Sequence, residues 1–485
     1  MNTYIGIDLG TSGVKLLLVA ADGKILAEVT EHYPVSTPRK GWSEQNPGDW
    51  IEAMFRGLKR LLNGQERAAV KGISFGGQMH GLVVLDRDDK VIRPCILWND
   101  GRTEQQTAYL NEAVGRETLT KRTGNIAFAG FTAPKLLWMK ENEPNNFSRI
   151  AKILLPKDYL SYVLSGNFCT DYSDASGTLL FDVKNRCWNE KMCDVCNISV
   201  DQLPELCESF AVTGKIKAQI AEELGLSENV NIVAGAGDNA AAAIGTGTVN
   251  AGDCNLSLGT SGTIFLCTEK FTEEKKNALH SFCHANGKWH LMGCILSAAS
   301  ARKWWLEDIL SKADYDGDEK EIAEAGCSDV LFLPYLRGER SPHNDVNARG
   351  AFIGLSATTT RGQMSRAVME GVAFALRDCL EIARANGIEV RSTKLCGGGA
   401  KSKAWRQIVA DILDLPVDIS KTEQGPAYGG AILAMVGCGE YETVQTAARA
   451  IIRVRETVLP AAAAAYEERY RRFIRLYPAL RDLNQ

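Results

Sequence analysis

The sequence predicts an α/β protein with two large domains. The chain has 485 residues, which is too long for one ordinary hydrophobic core. The pentapeptide Leu-Gly-Thr-Ser-Gly occurs twice, at residues 9–13 and 258–262. Each copy lies between two short apolar segments, which predicts a strand, a tight glycine-rich turn and a second strand. We therefore expect a duplicated unit, with domains at residues 1–247 and 248–485.

The repeated turns are candidate phosphate-binding loops. Backbone N–H groups in such a turn, together with the Thr and Ser hydroxyls, form a cradle for anionic oxygens. Two cradles that face each other would hold a polyphosphate from both sides. The alternative is two ordinary hairpins that share a pentapeptide by chance. The candidate residues are Gly10, Thr11, Ser12, Gly259, Thr260 and Ser261.

The composition is typical of a soluble globular enzyme, with 45% hydrophobic and 24% charged residues. A formal net charge of -4 argues against a nucleic-acid partner. No apolar segment approaches the roughly 18 residues that span a bilayer. The 14 cysteines show no disulfide framework and no signal peptide precedes Tyr4, so a cytoplasmic location is expected. Cys193 and Cys196 form a C-x-x-C without a second pair, which predicts solvated helical thiols.

Asp8 ends the first predicted strand, at residues 4–9. Further strands are predicted at 14–20 and 25–29, with a hairpin turn at Asp22-Gly23. Because a glycine-rich turn follows Asp8 at once, its carboxylate is expected to point at the phosphate site and to hold a metal ion through water. The alternative is that Asp8 caps its own turn.

A candidate site for a polyol follows the strand predicted at 72–75. Glycines flank Gln78, Met79 and His80, which leaves these side chains on a rim after a strand, where α/β folds bind ligands. An imidazole can both donate and accept hydrogen bonds, as recognition of hydroxyl groups requires. The alternative for His80 is a structural histidine.

Asp100 follows another predicted strand, at 96–98, within the polar run Asn99-Asp100-Gly101-Arg102. These groups suit a small hydroxylated ligand, or equally an Asx-turn that caps the next helix. The amphipathic helix predicted at 131–142 is interpreted as mainly structural.

Asp238 is the candidate general base. It follows a strand predicted at 231–235 and precedes Asn239 and a helix of alanines, whose N-terminus favours negative charge. In this position it can accept a proton from a hydroxyl that attacks phosphorus. The alternative is that Asp238 is only an N-cap, and both roles are compatible.

A second glycine-rich turn, Gly397-Gly398-Gly399-Ala400, lies between a strand predicted at 394–396 and a helix from about residue 402. This placement suits close contact with a nucleotide, although a tight turn without a ligand has the same pattern. A strand at 331–336 precedes a polar loop at 337–347, small residues at 425–431 offer a helix-packing face, and the last helix is predicted at 461–477. The sequence has neither a P-loop nor a Gly-x-Gly-x-x-Gly motif.

Together these motifs resemble those of the FGGY carbohydrate kinases, and among them the xylulose kinases, over essentially the whole chain. Residues 8–13 resemble the first phosphate motif of the family, 255–262 the second, and 397–400 its adenosine motif. Residues 130–142 and 350–370 fit the two family signatures. The likeness to xylulose kinases lies in residues 77–81, 98–102 and 237–239.

The resemblance implies two ribonuclease-H-like domains of the actin and sugar-kinase superfamily, with the active site in the cleft between them. It implies transfer of the ATP γ-phosphoryl group to D-xylulose. Asp238 matches the catalytic base and Asp8 the acidic residue near magnesium, while Met79, His80 and Asn239 match sugar contacts. Gly398, Gly399 and Ala400 match adenosine contacts. The resemblance also implies a homodimer as one expected assembly.

Three alternatives remain open. The nearest is a kinase of the same family that acts on ribulose, gluconate, glycerol or fuculose, because pocket shape rather than motif spacing selects the acceptor. A second is an actin-like or chaperone-like ATPase, which would lack a use for the polyol rim. A third is a sugar-sensing repressor, for which the N-terminus leaves no room for a helix-turn-helix.

Overall fold

The structure is a computed structural model that describes residues 1–326, 328–422 and 424–483. The chain forms two halves, and each half is built around a mixed β-sheet. The described strands of the first half are β1 (Thr3–Leu9), β2 (Gly13–Ala20), β3 (Ile25–His32), β4 (Glu44–Gln45), β5 (Val70–Gly77), β6 (Val83–Leu85), β7 (Cys95–Ile96), β8 (Lys152–Leu154), β9 (Cys169–Asp171), β10 (Phe181–Asp182), β11 (Cys187–Trp188), β12 (Glu205–Cys207), β13 (Val212–Lys215), β14 (Asn231–Val233) and β15 (Ala236–Gly237).

The helices of the first half lie mainly between these strands. They are α1 (Pro47–Leu61), α2 (Glu104–Tyr109), α3 (Arg116–Thr123), α4 (Thr132–Asn142), α5 (Pro144–Phe147), α6 (Pro156–Ser165), α7 (Tyr172–Ala175), α8 (Glu190–Cys196), α9 (Ala218–Leu224) and α10 (Asp238–Thr246). Short 3-10 turns occur at Arg67–Ala69 and Val200–Gln202, and a π-helical segment at Leu110–Gly115.

The second half begins with the repeated strand–turn–strand unit. Its described strands are β16 (Cys254–Leu258), β17 (Gly262–Thr268), β18 (His280–Cys283), β19 (Trp289–Ile295), β20 (Leu331–Leu333), β21 (Ala351–Ile353), β22 (Thr393–Cys396), β23 (Val417–Ser420) and β24 (Val454–Val458). Its helices are α11 (Ala299–Lys303), α12 (Tyr315–Ala325), α13 (Arg361–Ala385), α14 (Lys403–Leu413), α15 (Gly425–Gly437), α16 (Val444–Ile451), α17 (Ala463–Phe473) and α18 (Leu476–Leu480). A π-helical segment lies at Trp304–Ile309, and 3-10 turns at Gly398–Lys401 and Arg481–Leu483.

The two main sheets have the same topology. In the first sheet the order is β13-β14-β5-β1-β2-β3, and in the second it is β24-β23-β22-β16-β17-β19, with β18 added at the edge. Strands β1, β2 and β3 form an antiparallel meander, as do β16, β17 and β19. The next strands are parallel in both sheets, β1 to β5 to β14 and β16 to β22 to β23. This correspondence confirms the predicted duplication and excludes two unrelated hairpins.

Two predicted elements are shorter than expected because of proline. The strand predicted at 331–336 ends at Leu333, since Pro334 cannot donate to a strand ladder. The last helix predicted at 461–477 divides into α17 and α18, and Pro478 lies in the first turn of α18, where it could not continue the preceding helix. The strand predicted at 96–98 also differs from the structure. Strand β7 ends at Ile96, and Trp98 lies beyond it with 42% of its surface exposed.

Helices α10 and α15 cross between the two sheets with their backbones in direct contact. A Cβ atom on Gly429 of α15 would lie only 1.8 Å from the carbonyl oxygen of Ala241 in α10. A Cβ on Gly6 of β1 would likewise lie 1.8 Å from the carbonyl oxygen of Ala427. Helix α15 therefore leaves the second half and packs on the first sheet, as the small residues at 425–431 predict.

The apolar faces of these two helices share one core with both sheets. Tyr4 and Val19 from the first sheet and Phe265 from the second are buried in the same cluster as the side chains of α10 and α15. The crossing therefore fixes how the strand ends of the two sheets lie relative to each other, which matters because the candidate site residues lie at those ends.

We predict that Gly429→Ala destabilises the protein, although alanine is the better helix former. The added methyl group would overlap the backbone of α10, and overpacking of this kind typically costs about 1–3 kcal/mol or more. The free energy of unfolding, measured by denaturant titration, should fall accordingly. Gly48→Ala in the first turn of α1 is the control, because its Cβ would have 3.3 Å to the nearest atom of Asn46. Equal stability of the two variants would contradict the close crossing.

Candidate active site

Asp8 and Asp238 lie at the same edge of the first sheet. Asp8 pairs with Gly76 in the parallel β1–β5 ladder, and Ala236 of β15 pairs with Gly76 from the other side. Asp238 follows two residues later, as the first residue of α10. The strand between the two aspartates has glycine at 76 and 77, so no side chain of β5 separates them. Both aspartates are partly buried.

The environment of Asp238 suits a general base. Its Oδ1 accepts hydrogen bonds from the backbone N–H of Asn239 (2.7 Å) and from the Asn239 side-chain amide (2.8 Å). Burial raises the pKa of Asp238 to about 6, and the two bonds from Asn239 act in the opposite direction. A base whose pKa lies close to neutrality is deprotonated at pH 7 yet still accepts a proton readily. The N-cap of α10 is Gly237 and no side chain caps the helix, so the N-cap alternative for Asp238 is wrong. The two bonds from Asn239 use only one carboxylate oxygen, which leaves the other for a proton.

Asp8 is coupled to Asp238 through charge. Burial raises the pKa of Asp8 to about 7, the negative charge of Asp238 adds to the increase, and Lys15 opposes it. Lys15 is the cross-strand partner of Asp8 in β2. Its ammonium group also pairs with Glu28 at 2.9 Å, so it neutralises Asp8 only in part. Two half-buried carboxylates that repel each other, with oxygen as the only donor atom, form a set of ligands that suits Mg²⁺.

The predicted polyol rim lies beside this pair of aspartates. A Cβ on Gly237 would lie 2.9 Å from Sδ of Met79, so the Met79 side chain packs directly against the turn that carries Asp238. His80 is partly buried and stacks on Phe131 with ring centroids 4.6 Å apart. Met79, His80 and the Asp238 turn therefore form one continuous surface.

The hydrogen bonds of His80 define which nitrogen faces the rim. Its Nδ1 lies 2.8 Å from the carbonyl oxygen of Gly177 and therefore carries the proton. Burial lowers the pKa of His80 to about 3, with a further decrease from the charge of Lys135. The ring is thus neutral at physiological pH, and its Nε2 is a hydrogen-bond acceptor. Among the described residues, no group donates to Nε2.

Lys135 is a functional candidate that the sequence did not indicate. Its Nζ is buried in α4 and donates to the carbonyl oxygens of His80 (2.7 Å) and Gly130 (2.8 Å), and burial lowers its pKa to about 7. His80 has a φ of 69°, which is uncommon for a residue other than glycine. The bond from Lys135 therefore holds a strained backbone in the shape that presents the imidazole. The helix predicted at 131–142 is thus more than structural.

Asp100 has no free carboxylate oxygen for a sugar. It accepts from the backbone N–H of Ser43 at 2.6 Å and from the Arg102 guanidinium at 2.7 and 2.8 Å, and it is 2% exposed. Arg102 in turn lies over the Trp42 ring and bonds to Glu44. Asp100 also accepts from the backbone N–H of Arg102 at 2.9 Å, which is the Asx-turn of the alternative, although no side chain caps α2. With these four bonds Asp100 has no lone pair left for a sugar hydroxyl.

Hydrogen bonds to side chains of the first half, including Gln78 of the polyol rim, hold the first glycine-rich turn in place. The Thr11 hydroxyl donates to the side chain of Gln78 (3.2 Å) and accepts from the indole of Trp98 (3.1 Å). Gln45 donates to the carbonyl oxygen of Thr11 at 2.7 Å. Within the turn, the Gly10 N–H donates to the Gly13 carbonyl at 3.0 Å, and Ser12 is exposed.

The second turn borders a large cavity in the second half. Thr260 lines this cavity of about 1150 Å³, together with Gly398 and Gly399 from the predicted adenosine motif. A Cβ on Gly397 would lie 2.8 Å from the Leu258 carbonyl carbon, so the two glycine-rich turns are in contact. Gly259 and Ser261 are adjacent in the turn, and Ala400 is buried beneath it.

Much of the cavity wall comes from residues that the motifs did not indicate. Ser300 donates to the Thr260 carbonyl at 2.7 Å, and buried Arg302 pairs with Asp318 at 2.9 Å. Further lining residues are Lys303, Tyr315, Glu319, Lys401 and Lys403. Gly10, Thr11 and Ser12 do not line this cavity, so a clamp of one nucleotide by both turns stays a prediction.

Cys193 and Cys196 are buried rather than solvated, which corrects the sequence-based interpretation. They lie on the inner face of α8 and contribute to the core around α4. Burial raises the pKa of Cys193 to about 11, so this thiol is protonated and unreactive at neutral pH. In the described ranges, no three His, Cys, Asp or Glu side chains are grouped as a metal site.

Comparisons with known proteins identify what the whole chain is similar to. Residues 3–245 match the model of the N-terminal domain of the FGGY family of carbohydrate kinases, and residues 254–438 match that of its C-terminal domain. The chain is 43% identical to the xylulose kinase of Escherichia coli (strain K12), over 99% of both proteins. No helix in the described parts of the chain has the length and hydrophobicity to cross a membrane.

Solved structures of sugar kinases have the same fold as this chain. The crystal structure of a "xyloylose kinase" from Brucella ovis has a TM-score of 0.95 and 40% identity, covering 99% of this chain and 100% of that one. The gluconate kinase from Lactobacillus acidophilus has a TM-score of 0.94 and 27% identity, covering 99% and 98%.

We predict that the His80 imidazole stays neutral, protonated at Nδ1, throughout the range from pH 8 down to pH 5. The reason is its burial, which holds the pKa of His80 at about 3, so that protonation needs a much lower pH than usual. NMR of protein with ¹⁵N-labelled histidine would detect the tautomer of each of the six histidines. The His80→Gln variant would assign the resonance, and a titration near pH 6.5 would contradict the prediction.

Proposed function

The chain belongs to the FGGY family of carbohydrate kinases, and from this membership we propose that it transfers the γ-phosphoryl group of ATP to the terminal hydroxyl of D-xylulose, giving D-xylulose 5-phosphate. The observation that carries this proposal is the surface on which Asp238, with a pKa of about 6, adjoins Met79 and His80. A carboxylate poised near neutrality beside groups that suit hydroxyl recognition fits an enzyme that deprotonates a polyol.

In the proposed mechanism, the sugar lies on the first half with its reacting hydroxyl toward Asp238. Met79 provides an apolar contact, the neutral His80 accepts a hydrogen bond at Nε2, and Asn239 is a further sugar contact. Asp238 accepts the proton of the hydroxyl as that oxygen attacks phosphorus. Alignment and charge neutralisation carry most of the catalysis in phosphoryl transfer, so the fixed geometry of these groups is the main contribution of the protein.

The nucleotide is proposed to lie in the cavity of the second half, with its adenosine against Gly398, Gly399 and Ala400. Its phosphates would then reach Gly259, Thr260 and Ser261 on one side and Gly10, Thr11 and Ser12 on the other. Asp8 would hold Mg²⁺ through water, and the ion would neutralise charge on the phosphates. The predicted cytoplasmic location and homodimer stay predictions.

The acceptor can be tested with a panel of polyols. We expect D-xylulose to give the highest kcat/KM in an assay of ADP release, followed at a distance by D-ribulose, gluconate, glycerol and fuculose. The reason is the 43% identity to a xylulose kinase over 99% of the chain. The structural likeness to a gluconate kinase at 27% identity makes gluconate the most informative competitor. ATP hydrolysis that no sugar stimulates would instead favour an actin-like or chaperone-like ATPase.

We predict that Asp238→Asn lowers kcat by about 10²–10⁴-fold, since that is the usual contribution of a positioned general base. In the wild type, kcat/KM should fall as the pH is lowered through about 6. The reason is the raised pKa of Asp238, which makes this base protonated, and so inactive, at a higher pH than an ordinary aspartate. The variant should lack this limb while it still binds sugar, as calorimetry would show. Asp49→Asn, which removes a carboxylate from the first turn of α1, provides the control. Turnover like the wild type in Asp238→Asn would rule out its role as base.

A further inference from the structure

A loop of the second half reaches the polyol rim of the first half. Residues 337–347 follow β20 and run beside the end of β19, where the Ser341 N–H donates to the Cys294 carbonyl at 2.9 Å and the Ser341 hydroxyl accepts from the Cys294 N–H at 3.1 Å. Buried Glu339 accepts from the backbone N–H groups of Leu296 (2.9 Å) and Arg340 (2.7 Å). The backbone on both sides of Arg340 is therefore fixed to the second sheet.

The Arg340 side chain crosses to the first half. Its guanidinium carbon lies 5.5 Å from the centre of the Phe128 ring. Phe128 contacts Phe131, with centroids 5.4 Å apart, and Phe131 stacks on His80. His80 also senses the charge directly, because Arg340 contributes to the lowered pKa of His80, after burial and Lys135. Arg340 is thus the cation that the second half brings to the polyol rim.

The guanidinium of Arg340 is only partly exposed, and within the described ranges no carboxylate or carbonyl oxygen accepts a hydrogen bond from it. This differs from Arg102, Arg302 and Arg469, which are buried and paired with carboxylates. A guanidinium has five N–H donors in a planar fork, and leaving them unpaired in a partly desolvated place is unfavourable. Its donors are therefore available to a ligand on the rim.

The two groups on the rim are complementary to a hydroxylated ligand. His80 presents an acceptor at Nε2, because its proton is on Nδ1. Arg340 presents only donors. A sugar presents hydroxyl protons to donate and oxygen lone pairs to accept, so one sugar molecule can satisfy both groups.

We propose that Arg340 is a sugar-binding residue contributed by the second half, which donates to a hydroxyl or carbonyl oxygen of the acceptor while His80 accepts from the same ligand. This inference rests on the proposed function of a sugar kinase and names the contact that completes the sugar site across the two halves. Leu336 and Arg337, at the start of the same loop, line the cavity proposed for the nucleotide. One short loop therefore contacts both proposed binding sites, which links sugar binding to the relative position of the halves.

We predict that Arg340→Met raises the Kd for D-xylulose by about 10–100-fold, as loss of a charged hydrogen-bond donor does. Methionine keeps the apolar packing on Phe128 but has no donor. The Kd would be measured by calorimetry without nucleotide, and KM would be measured for both substrates. The KM for D-xylulose should rise with the Kd, while the KM for ATP stays within about 2-fold. Arg340→Lys should give an intermediate loss, because it keeps the charge without the fork.

Arg391→Met is the matched control, because Arg391 is a surface residue whose side chain is 82% exposed, and it should bind sugar like the wild type. Monodeoxy forms of the sugar add a second readout. The analogue that lacks the bound oxygen should bind the wild type weakly and lose little more in Arg340→Met.

Two results would overturn the assignment. An unchanged sugar Kd with a large decrease in kcat would place Arg340 on the phosphoryl group instead, and an unchanged Kd and kcat would leave it as a packing residue. If Arg340→Met has a lowered Tm, Arg340→Leu is the substitute, because leucine also has no hydrogen-bond donor. A failure of the proposed function would be distinguishable, because the wild type itself would then prefer another polyol to D-xylulose. The Kd of the wild type and of Arg340→Met would in that case be compared for the preferred polyol.

Discussion

The burial of two neighbouring carboxylates is the constraint on which the rest of this site depends. Asp8 and Asp238 share one sheet edge, and each is harder to ionise than an ordinary aspartate, with pKa values of about 7 and 6. Water is too scarce there to screen the two charges fully. Burial raises the pKa of both groups, and the charge of Asp238 raises that of Asp8 further, while Lys15 beside Asp8 and the two donors from Asn239 on Asp238 act in the opposite direction. The remaining imbalance favours a divalent cation near Asp8 and a proton-accepting role for Asp238.

The polyol rim differs from the two aspartates in that its histidine carries no charge at neutral pH. His80 is kept neutral by burial and by the adjacent cations Lys135 and Arg340. Lys135 fixes the backbone of His80 by donating to its carbonyl oxygen. The bond from Nδ1 to the Gly177 carbonyl oxygen fixes the orientation of the ring. Neutral, directional hydrogen bonding suits an uncharged polyol, whereas the anionic nucleotide would meet the lysines that border the other cavity.

Local sequence patterns predicted those parts of the fold and site that depend on neighbouring residues. The glycine-rich turns, the strand before Asp8 and the helix that begins at Asp238 are all set within about ten residues of sequence, and the structure has them at or near the expected positions. Lys135 was missed because its function depends on the His80 carbonyl, which is brought to it only by the folded chain. The role of Asp100 in a buried ion pair depends on the distant Ser43 and Glu44, which no motif records. Burial of Cys193 similarly depends on how α8 packs on α4.

The exchange of α15 onto the first sheet has a consequence for how this chain can be divided. A fragment that ends at residue 247, where the sequence suggested a boundary, would expose the side of β1 and β2 on which Tyr4, Leu17 and Val19 are covered by α15. The complementary fragment would carry α15 without the surface that buries it. We therefore expect neither piece to fold independently, and the apolar surfaces exposed on both to favour aggregation. The duplicated architecture is therefore an obligate pair, in which the second half supplies α15 to complete the first.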